Sequence, residues 1–265
     1  MTLPVPDREA TLAACRAAVT DYTRLLRSDL DPDATAVGEW SVRDVAVHTA
    51  HIAHTLRALA SGSRSPITDH RDMSAQWMAK VRADPDTELS SIADRIESDA
   101  SELPGLLTAE VWDEPIDWHA GLKARGYSLA CIQVNESRIH GLDVARTASI
   151  PWDISRSDAI ASIEGLLPVL HNFVDEEAAR GLHATFELRL RGGSTIFMRF
   201  DDDSLSIGTQ RPERIDCVVS ADPLSYLLIG YGRIGQWGPI ATGKVVAWGR
   251  RPLLALRFGK LFVSP

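Results

Sequence analysis

Cysteine is scarce in this chain. Its three cysteines, Cys15, Cys131 and Cys217, lie far apart in the sequence and form no CxxC pair. An odd number of widely spaced thiols predicts neither a disulfide framework nor a thiolate-rich metal site. We therefore expect the protein to work in a reducing compartment.

The sequence also lacks any apolar run of the roughly 20 residues that a membrane-spanning helix needs. Its N-terminal segment has no basic start followed by an uninterrupted apolar stretch, because Asp7, Arg8 and Glu9 interrupt it. This pattern is not that of a secretory signal peptide. We expect a cytoplasmic protein with no membrane partner.

An excess of positive charge is missing as well. The chain has 28 Lys and Arg against 36 Asp and Glu, which gives a formal net charge of −8. A general nucleic-acid-binding surface needs a face rich in Lys and Arg, so we expect no nucleic-acid partner. GxGxxG, P-loop and Gly-x-Ser-x-Gly motifs with the required flanks are absent too, which argues against several common enzyme classes.

What is present is an ordinary globular composition, with 45% apolar and 24% charged residues over 265 positions. This length predicts two domains. In the first part of the chain, apolar residues recur at helical steps of three and four, as in the set Leu12, Cys15, Val19, Tyr22 and Leu26. Ser41 and Asp44 have the spacing of a capping box that begins a second helix. Four long helices predict a helical bundle over residues 1–150.

A different pattern follows a linker at residues 150–153. A helix is predicted over 158–179, with Pro168 as a position that divides or kinks it. Period-two alternation on both sides of Gly192 and Gly193 predicts a β-hairpin, and shorter strand patterns follow. Asp222 is predicted to cap a further helix. We therefore expect an α+β domain over residues 151–265.

Three side chains of metal-ligand type stand out in the bundle. His48 falls among the inward apolar positions of the second helix, whereas Glu136 and His140 lie four residues apart on the last one. Residues four apart share a helix face. Two histidines and a carboxylate, with one position left open, are typical of catalytic zinc, and bundles build such sites from separate helices. The sequence predicts a shared metal, the alternative being a mere hydrogen bond between Glu136 and His140.

Neighbouring residues offer further possibilities. His51 and His54 extend His48 into an HxxHxxH series, but residues six apart diverge by about 120° around a helix axis, so His54 should point elsewhere. His51 is either a surface residue or part of the pocket lining. Asp143 follows His140 by three residues, and it either orients the His140 ring, caps the end region of the helix or pairs with Arg146.

Two motifs carry a resemblance to a known family. The segment from Trp40 to His48, WSVRDVAVH, and the segment from Asn135 to Asp143, NESRIHGLD, together resemble the mycothiol-dependent maleylpyruvate isomerase family. The resemblance implies a DinB-like four-helix bundle followed by a smaller sterol-carrier-like α+β domain, and it covers essentially the whole chain.

The resemblance also assigns residues. It implies that His48, Glu136 and His140 bind a divalent metal, most often zinc. Asp143 matches a recurrent family position. In the second domain the segment Gly-Tyr-Gly-Arg ending at Arg233 resembles a Gly-Arg element whose arginine meets a substrate carboxylate. The other arginines that remain open for this role are Arg214, Arg250 and Arg251.

The chemistry that the resemblance implies uses mycothiol as a thiol cofactor or cosubstrate. The metal would lower the pKa of the thiol, so that a reactive thiolate adds to an electrophilic small molecule. The outcome is either cis-trans isomerisation of a maleylpyruvate-like substrate or transfer of the thiol. We expect a monomer or homodimer, and the alternatives are a non-catalytic small-ligand-binding protein or a zinc-containing regulatory protein.

Overall fold

The computed structural model of the protein describes residues 2–263. Its contacts divide the chain into two compact units. One unit is Pro6–Ile154, and the other joins the first few described residues to the segment that begins at Ser155. None of the described helices combines the length and the apolar character needed to cross a bilayer.

The unit Pro6–Ile154 is helical. Its described α-helices are α1 (Arg8–Leu26), α2 (Val42–Ala60), α3 (Met73–Ala83), α4 (Leu89–Leu106) and α5 (Gly126–Thr147). The long helices α1, α2, α4 and α5 pack against one another, and the short α3 packs on α2. The predicted four-helix bundle is therefore confirmed.

Local signals fix where the bundle helices begin. The Ser41 hydroxyl accepts a hydrogen bond from the Asp44 amide at 3.1 Å, and the Asp44 carboxylate accepts one from the Ser41 amide at 3.2 Å. This capping box satisfies donors that the first turn of a helix leaves free. It sets the start of α2, so Val45 and Ala46 enter the core and His48 follows them inward.

Two small hairpins complete this unit. Strand β1 (Thr35–Val37) pairs with β2 (Trp40–Ser41), and β3 (Pro115–Asp117) pairs with β4 (Lys123–Arg125), both antiparallel. A 3-10 turn, His119–Gly121, connects β3 to β4. Strands of two or three residues are too short for period-two alternation to reveal them.

The second unit contains a mixed sheet. Its strands are β5 (His183–Leu190), β6 (Thr195–Asp201), β7 (Ser204–Gly208), β8 (Cys217–Ala221) and β9 (Val245–Trp248), in the order β7-β6-β5-β8-β9. Strands β5 and β8 are parallel, and the other pairs are antiparallel. The described helices of this unit are α6 (Arg156–Leu170), α7 (Glu176–Ala179), α8 (Pro223–Gly230) and α9 (Trp237–Ala241). The predicted class, a helical bundle followed by an α+β part, is confirmed.

One predicted helix is divided in the structure. The segment 158–179 forms α6, which begins earlier at Arg156, then a 3-10 turn at His171–Phe173 and then the short α7. Pro168 lies inside α6, which ends at Leu170. The predicted cap at Asp222 is present, because its carboxylate accepts a hydrogen bond from the Ser225 amide at 3.0 Å.

Candidate metal centre

Three side chains of the bundle unit meet at one point. His48 lies near the middle of α2, and α2 packs beside α5, which carries Glu136 and His140 one turn apart. The Glu136 Oε2 atom lies 3.3 Å from His48 Nε2 and 3.3 Å from His140 Nε2. One ligand atom from each residue lies within 4.8 Å of the others. The structure therefore brings the three predicted ligands together.

The spacing of these atoms fits a shared cation. Zinc binds nitrogen and oxygen ligands at about 2.0–2.2 Å, which places the ligand atoms of a tetrahedral site roughly 3.3 Å apart. Within the described part of the chain, the buried Glu136 Oε2 has no partner that meets hydrogen-bond geometry, although two imidazole nitrogens face it. A buried carboxylate oxygen without a hydrogen bond is costly, and a cation would remove that cost.

The centre is buried without being sealed. The relative solvent exposures of the His48, Glu136 and His140 side chains are 11%, 15% and 14%. Within residues 2–263, these three histidine and carboxylate side chains lie close enough together to share a metal ion. If these three side chains held one cation, a coordination position would remain for another group.

Asp143 lies directly behind His140. Its Oδ2 atom is 3.2 Å from His140 Nδ1, and the carboxylate is almost fully buried. The helix α5 continues to Thr147, so Asp143 does not close the end of the helix. A carboxylate on the second ring nitrogen is the usual arrangement that orients a metal-binding imidazole.

The electrostatics of the three residues are coupled. Burial lowers the pKa of His140, but the carboxylates of Asp143 and Glu136 outweigh it and raise the pKa to about 9. Burial alone would raise the pKa of Glu136, yet the adjacent His140 and His48 hold it well below its usual range. Burial lowers the pKa of His48. The neighbouring carboxylates therefore favour the protonated form of His140, whereas burial disfavours the protonated form of His48.

The other histidines of α2 are not part of this centre. His54 is 60% exposed in its side chain, and its Nδ1 atom lies 3.4 Å from Asp99. The expectation from helix geometry that His54 points elsewhere is confirmed. The His51 Nε2 atom lies 2.9 Å from Asp84, which also pairs with Arg95. His51 therefore lies beside the Asp84–Arg95 ion pair and outside the metal centre.

Aromatic rings line the site, and one further histidine was not predicted. The rings of Trp40 and Trp77 contact His48 edge-on, with centroids 5.0 Å and 5.6 Å away. Trp77 also contacts His119, at 5.7 Å. His119 lies in the β3-β4 turn, where no helical period marks it, and its neighbour Trp118 was the one local sign of a buried position.

The predicted arginine belongs to the second unit. Arg233 follows α8, and its Nη1 atom donates a hydrogen bond to the Tyr231 carbonyl oxygen at 2.7 Å. Of the alternatives, Arg214 pairs with Asp216 at 2.9 Å, and Arg251 donates to a backbone carbonyl. Which arginine meets a substrate stays a prediction.

Comparisons with known proteins give a fold likeness. No protein-family profile and no curated protein matches the sequence. A crystal structure of the mycothiol-dependent maleylpyruvate isomerase is similar, with a TM-score of 0.50 and 14% identity over 93% of this chain and 95% of that chain. A variant of that isomerase with one histidine replaced by alanine matches with a TM-score of 0.52, at the same identity and coverage. At this identity the likeness shows a common fold.

Proposed function

We propose that the protein is a divalent-metal-dependent enzyme that uses mycothiol to attack an electrophilic small molecule. The convergence of His48, Glu136 and His140 on one buried point carries the proposal. The fold likeness to an isomerase described as mycothiol-dependent supports the choice of thiol. Zinc is the metal that this donor set favours.

The residues present would hold the cation through two imidazole nitrogens and one carboxylate oxygen. A divalent cation held there would lower the pKa of a thiol bound to it. Glu136 offsets only part of the charge of such a cation, so the centre would keep a positive field for an anionic sulfur. Trp40 and Trp77 pack on His48 and limit the access of water to it.

The proposed chemistry begins with the sulfur of the thiolate forming a bond to the β-carbon of an alkene conjugated to a carbonyl group. The alkene π electrons move toward the carbonyl oxygen, which gives an enolate. Rotation followed by cleavage of the new carbon–sulfur bond returns the alkene with the other geometry. Protonation of the α-carbon instead keeps the adduct and makes the reaction a thiol transfer.

Arg233 is proposed to bind a carboxylate of the substrate. The basis is its resemblance to the Gly-Arg element, together with the planar guanidinium, which matches a carboxylate in a bidentate manner. Arg233→Ala is then expected to raise KM for a carboxylate-bearing electrophile. Unchanged turnover and affinity would reject this role.

The test of the metal centre is metal analysis of the purified protein beside single variants. Wild type is expected to bind zinc, and the ligand variants are expected to lose it: His48→Ala, Glu136→Ala and His140→Ala. His54→Ala is the matched control, because His54 is an exposed histidine of the same helix. Retention of full zinc binding by the ligand variants would contradict the assigned centre.

A second measurement tests the open coordination position. In cobalt-substituted protein, added mycothiol is expected to change the visible spectrum, and a panel of conjugated electrophiles is expected to react faster than in the uncatalysed mixture. The contrary result is a metal-containing protein whose visible spectrum does not change on addition of mycothiol and whose reaction rate with every thiol equals the background rate. Such a result would indicate a binding or regulatory protein.

A further inference from the structure

His119 has a buried imidazole near the candidate metal centre, and the reaction proposed above gives it no role. It begins the 3-10 turn between β3 and β4 and is 3% exposed. The ring of Trp77 contacts both His48 and His119, with centroids 5.6 Å and 5.7 Å away. The charge of the Glu136 carboxylate also acts on this imidazole. One aromatic ring therefore separates His119 from a candidate metal ligand.

The turn that presents His119 is strained and firmly held. Ala120 has a φ of 55°, in the left-handed region that residues other than glycine rarely adopt. The Ala120 amide donates a hydrogen bond to the Ile67 carbonyl oxygen at 2.9 Å, and the Leu122 amide donates to the His119 carbonyl oxygen at 3.0 Å. Strain of this kind persists where the surrounding structure fixes it, and it is common at functional sites.

The Ser65 hydroxyl fixes the direction of the imidazole. Its oxygen lies 2.6 Å from His119 Nδ1 and accepts a hydrogen bond from the Ile67 amide at 3.0 Å. We assign the Ser65 hydroxyl as the donor of the hydrogen bond to Nδ1, which makes Nδ1 the acceptor and puts the ring proton on Nε2. Because Nδ1 is engaged by Ser65, Nε2 is the nitrogen left to meet a small molecule.

The surroundings keep this ring neutral. Burial lowers the pKa of His119 to about 4, and the Glu136 carboxylate only partly opposes the shift. Trp118 lies against the ring with centroids 4.2 Å apart, and Trp77 lies edge-on to it. A neutral imidazole held in this way is a hydrogen-bond donor for a carbonyl oxygen, as other enzymes show.

We propose that His119 donates a hydrogen bond from Nε2 to the carbonyl oxygen of the electrophile, which makes the substrate a conjugated carbonyl compound. This inference rests on the proposed function. As the carbon–sulfur bond forms and the alkene π pair moves to the oxygen, the Nε2–H group stabilises the enolate, and its proton stays on nitrogen. The electron pair returns from the enolate oxygen to carbon when the carbon–sulfur bond breaks and the alkene reforms, or when the α-carbon takes a proton from solvent.

The test compares two substitutions in the full-length, zinc-loaded protein. His119→Phe keeps an aromatic ring between Trp77 and Trp118 but removes the donor. We expect kcat to fall on the order of 100-fold, the usual effect of losing one oxyanion donor. His119→Gln returns an N–H donor and is expected to recover part of the rate. Zinc content and the mycothiol-dependent cobalt spectrum should match wild type in both variants, and His54→Phe should behave as wild type.

A binding measurement separates this inference from the proposed function. Pyruvate supplies a carbonyl oxygen without a conjugated alkene, and we expect it to shift the Nε2–H resonance of His119 in wild-type protein labelled at histidine nitrogen. If no electrophile reacts but pyruvate shifts that resonance, the proposed reaction fails and the donor role stands. An unchanged kcat in His119→Phe, equal losses in both variants or the absence of a pyruvate shift would overturn the donor role.

Discussion

At the scale of single residues, different surroundings shift the pKa values of two inward-facing histidines in opposite directions. His140 has carboxylates at Asp143 and Glu136, and its pKa rises to about 9. His119 has a serine hydroxyl and aromatic rings around it, and its pKa falls to about 4. The carboxylates beside His140 favour its binding to a cation, whereas the burial of His119 favours a neutral imidazole that can donate a hydrogen bond.

The role of Asp143 can be measured through metal affinity. Asp143→Asn keeps the shape of the side chain but removes the charge that orients His140, so we expect zinc to bind about 10–100-fold more weakly. Competition with a chromophoric chelator measures this change. Asp99→Asn is the control, because Asp99 pairs with His54 and Arg57 outside the centre. Equal zinc affinity in wild type and Asp143→Asn would remove Asp143 from the metal centre.

Single residues also show what sequence patterns predict and what they miss. Glu136 and His140 are four apart on one helix, so their shared face follows from local geometry. His48 was predictable because apolar neighbours mark it as inward. The contact between His119 and Trp77 depends on how the β3-β4 hairpin packs against α2 and α5, and no local pattern carries that information.

At the scale of elements, α5 is the helix that positions two of the three ligands. Its side chains are buried around most of its circumference, so it lies at the centre of its unit. Gly141 follows His140 directly and lies against the indole of Trp152, whose Nε1 donates to the Arg138 carbonyl oxygen at 2.9 Å. The absence of a side chain at position 141 is what lets this ring pack on α5.

Replacement of that glycine tests the packing of α5. A Cβ atom at Gly141 would lie 2.0 Å from the Trp152 ring, so the ring must move in Gly141→Ala. We expect a loss of about 1–3 kcal/mol in the free energy of unfolding, the usual cost of overpacking. Denaturant unfolding measures the loss, and a red-shifted tryptophan emission should accompany it.

The matched control is Gly105→Ala in α4, where a Cβ atom would have no neighbour within 4 Å. An alanine in a helix is favoured over glycine by up to about 1 kcal/mol, so this variant should be neutral or more stable. Equal free energies of unfolding for the two variants would contradict the packing role of Gly141.

Helix boundaries show why some helix ends could be predicted from the sequence and others could not. The capping box at Ser41 and the cap at Asp222 have strong local signatures, and both helices begin where these predict. Pro168 was expected to divide or kink the segment 158–179, and the observed break at His171–Phe173 lies shortly after it. Propensity alone does not locate such a break, because tertiary packing decides it.

At the scale of the whole molecule, the change from helical to alternating periodicity made the fold class predictable. One hydrogen bond between residues distant in sequence could not be predicted. The Thr209 amide donates a hydrogen bond to the Thr2 carbonyl oxygen at 3.0 Å, which ties the start of the chain to the unit that begins at Ser155. A contact between residues so distant in sequence leaves no periodic signal.

The metal centre also makes a prediction for the stability of the whole chain. A cation that binds the folded state and not the unfolded state stabilises the protein by about 4 kcal/mol at a free concentration 1,000 times its Kd. For a chain of this size that corresponds to a rise in Tm of roughly 10 °C. We therefore expect zinc to raise the Tm of wild type in a concentration-dependent manner, and a chelator to reverse the rise.

The location of the ligands decides which variants respond to zinc. His48, Glu136 and His140 all lie in the unit Pro6–Ile154, so the zinc-dependent rise in Tm should disappear in His140→Ala and persist in His54→Ala. Calorimetry with and without zinc measures both variants under the same conditions. A rise in His140→Ala equal to that of wild type would mean that zinc stabilises the chain through other side chains, and the proposed centre would lose its thermodynamic support.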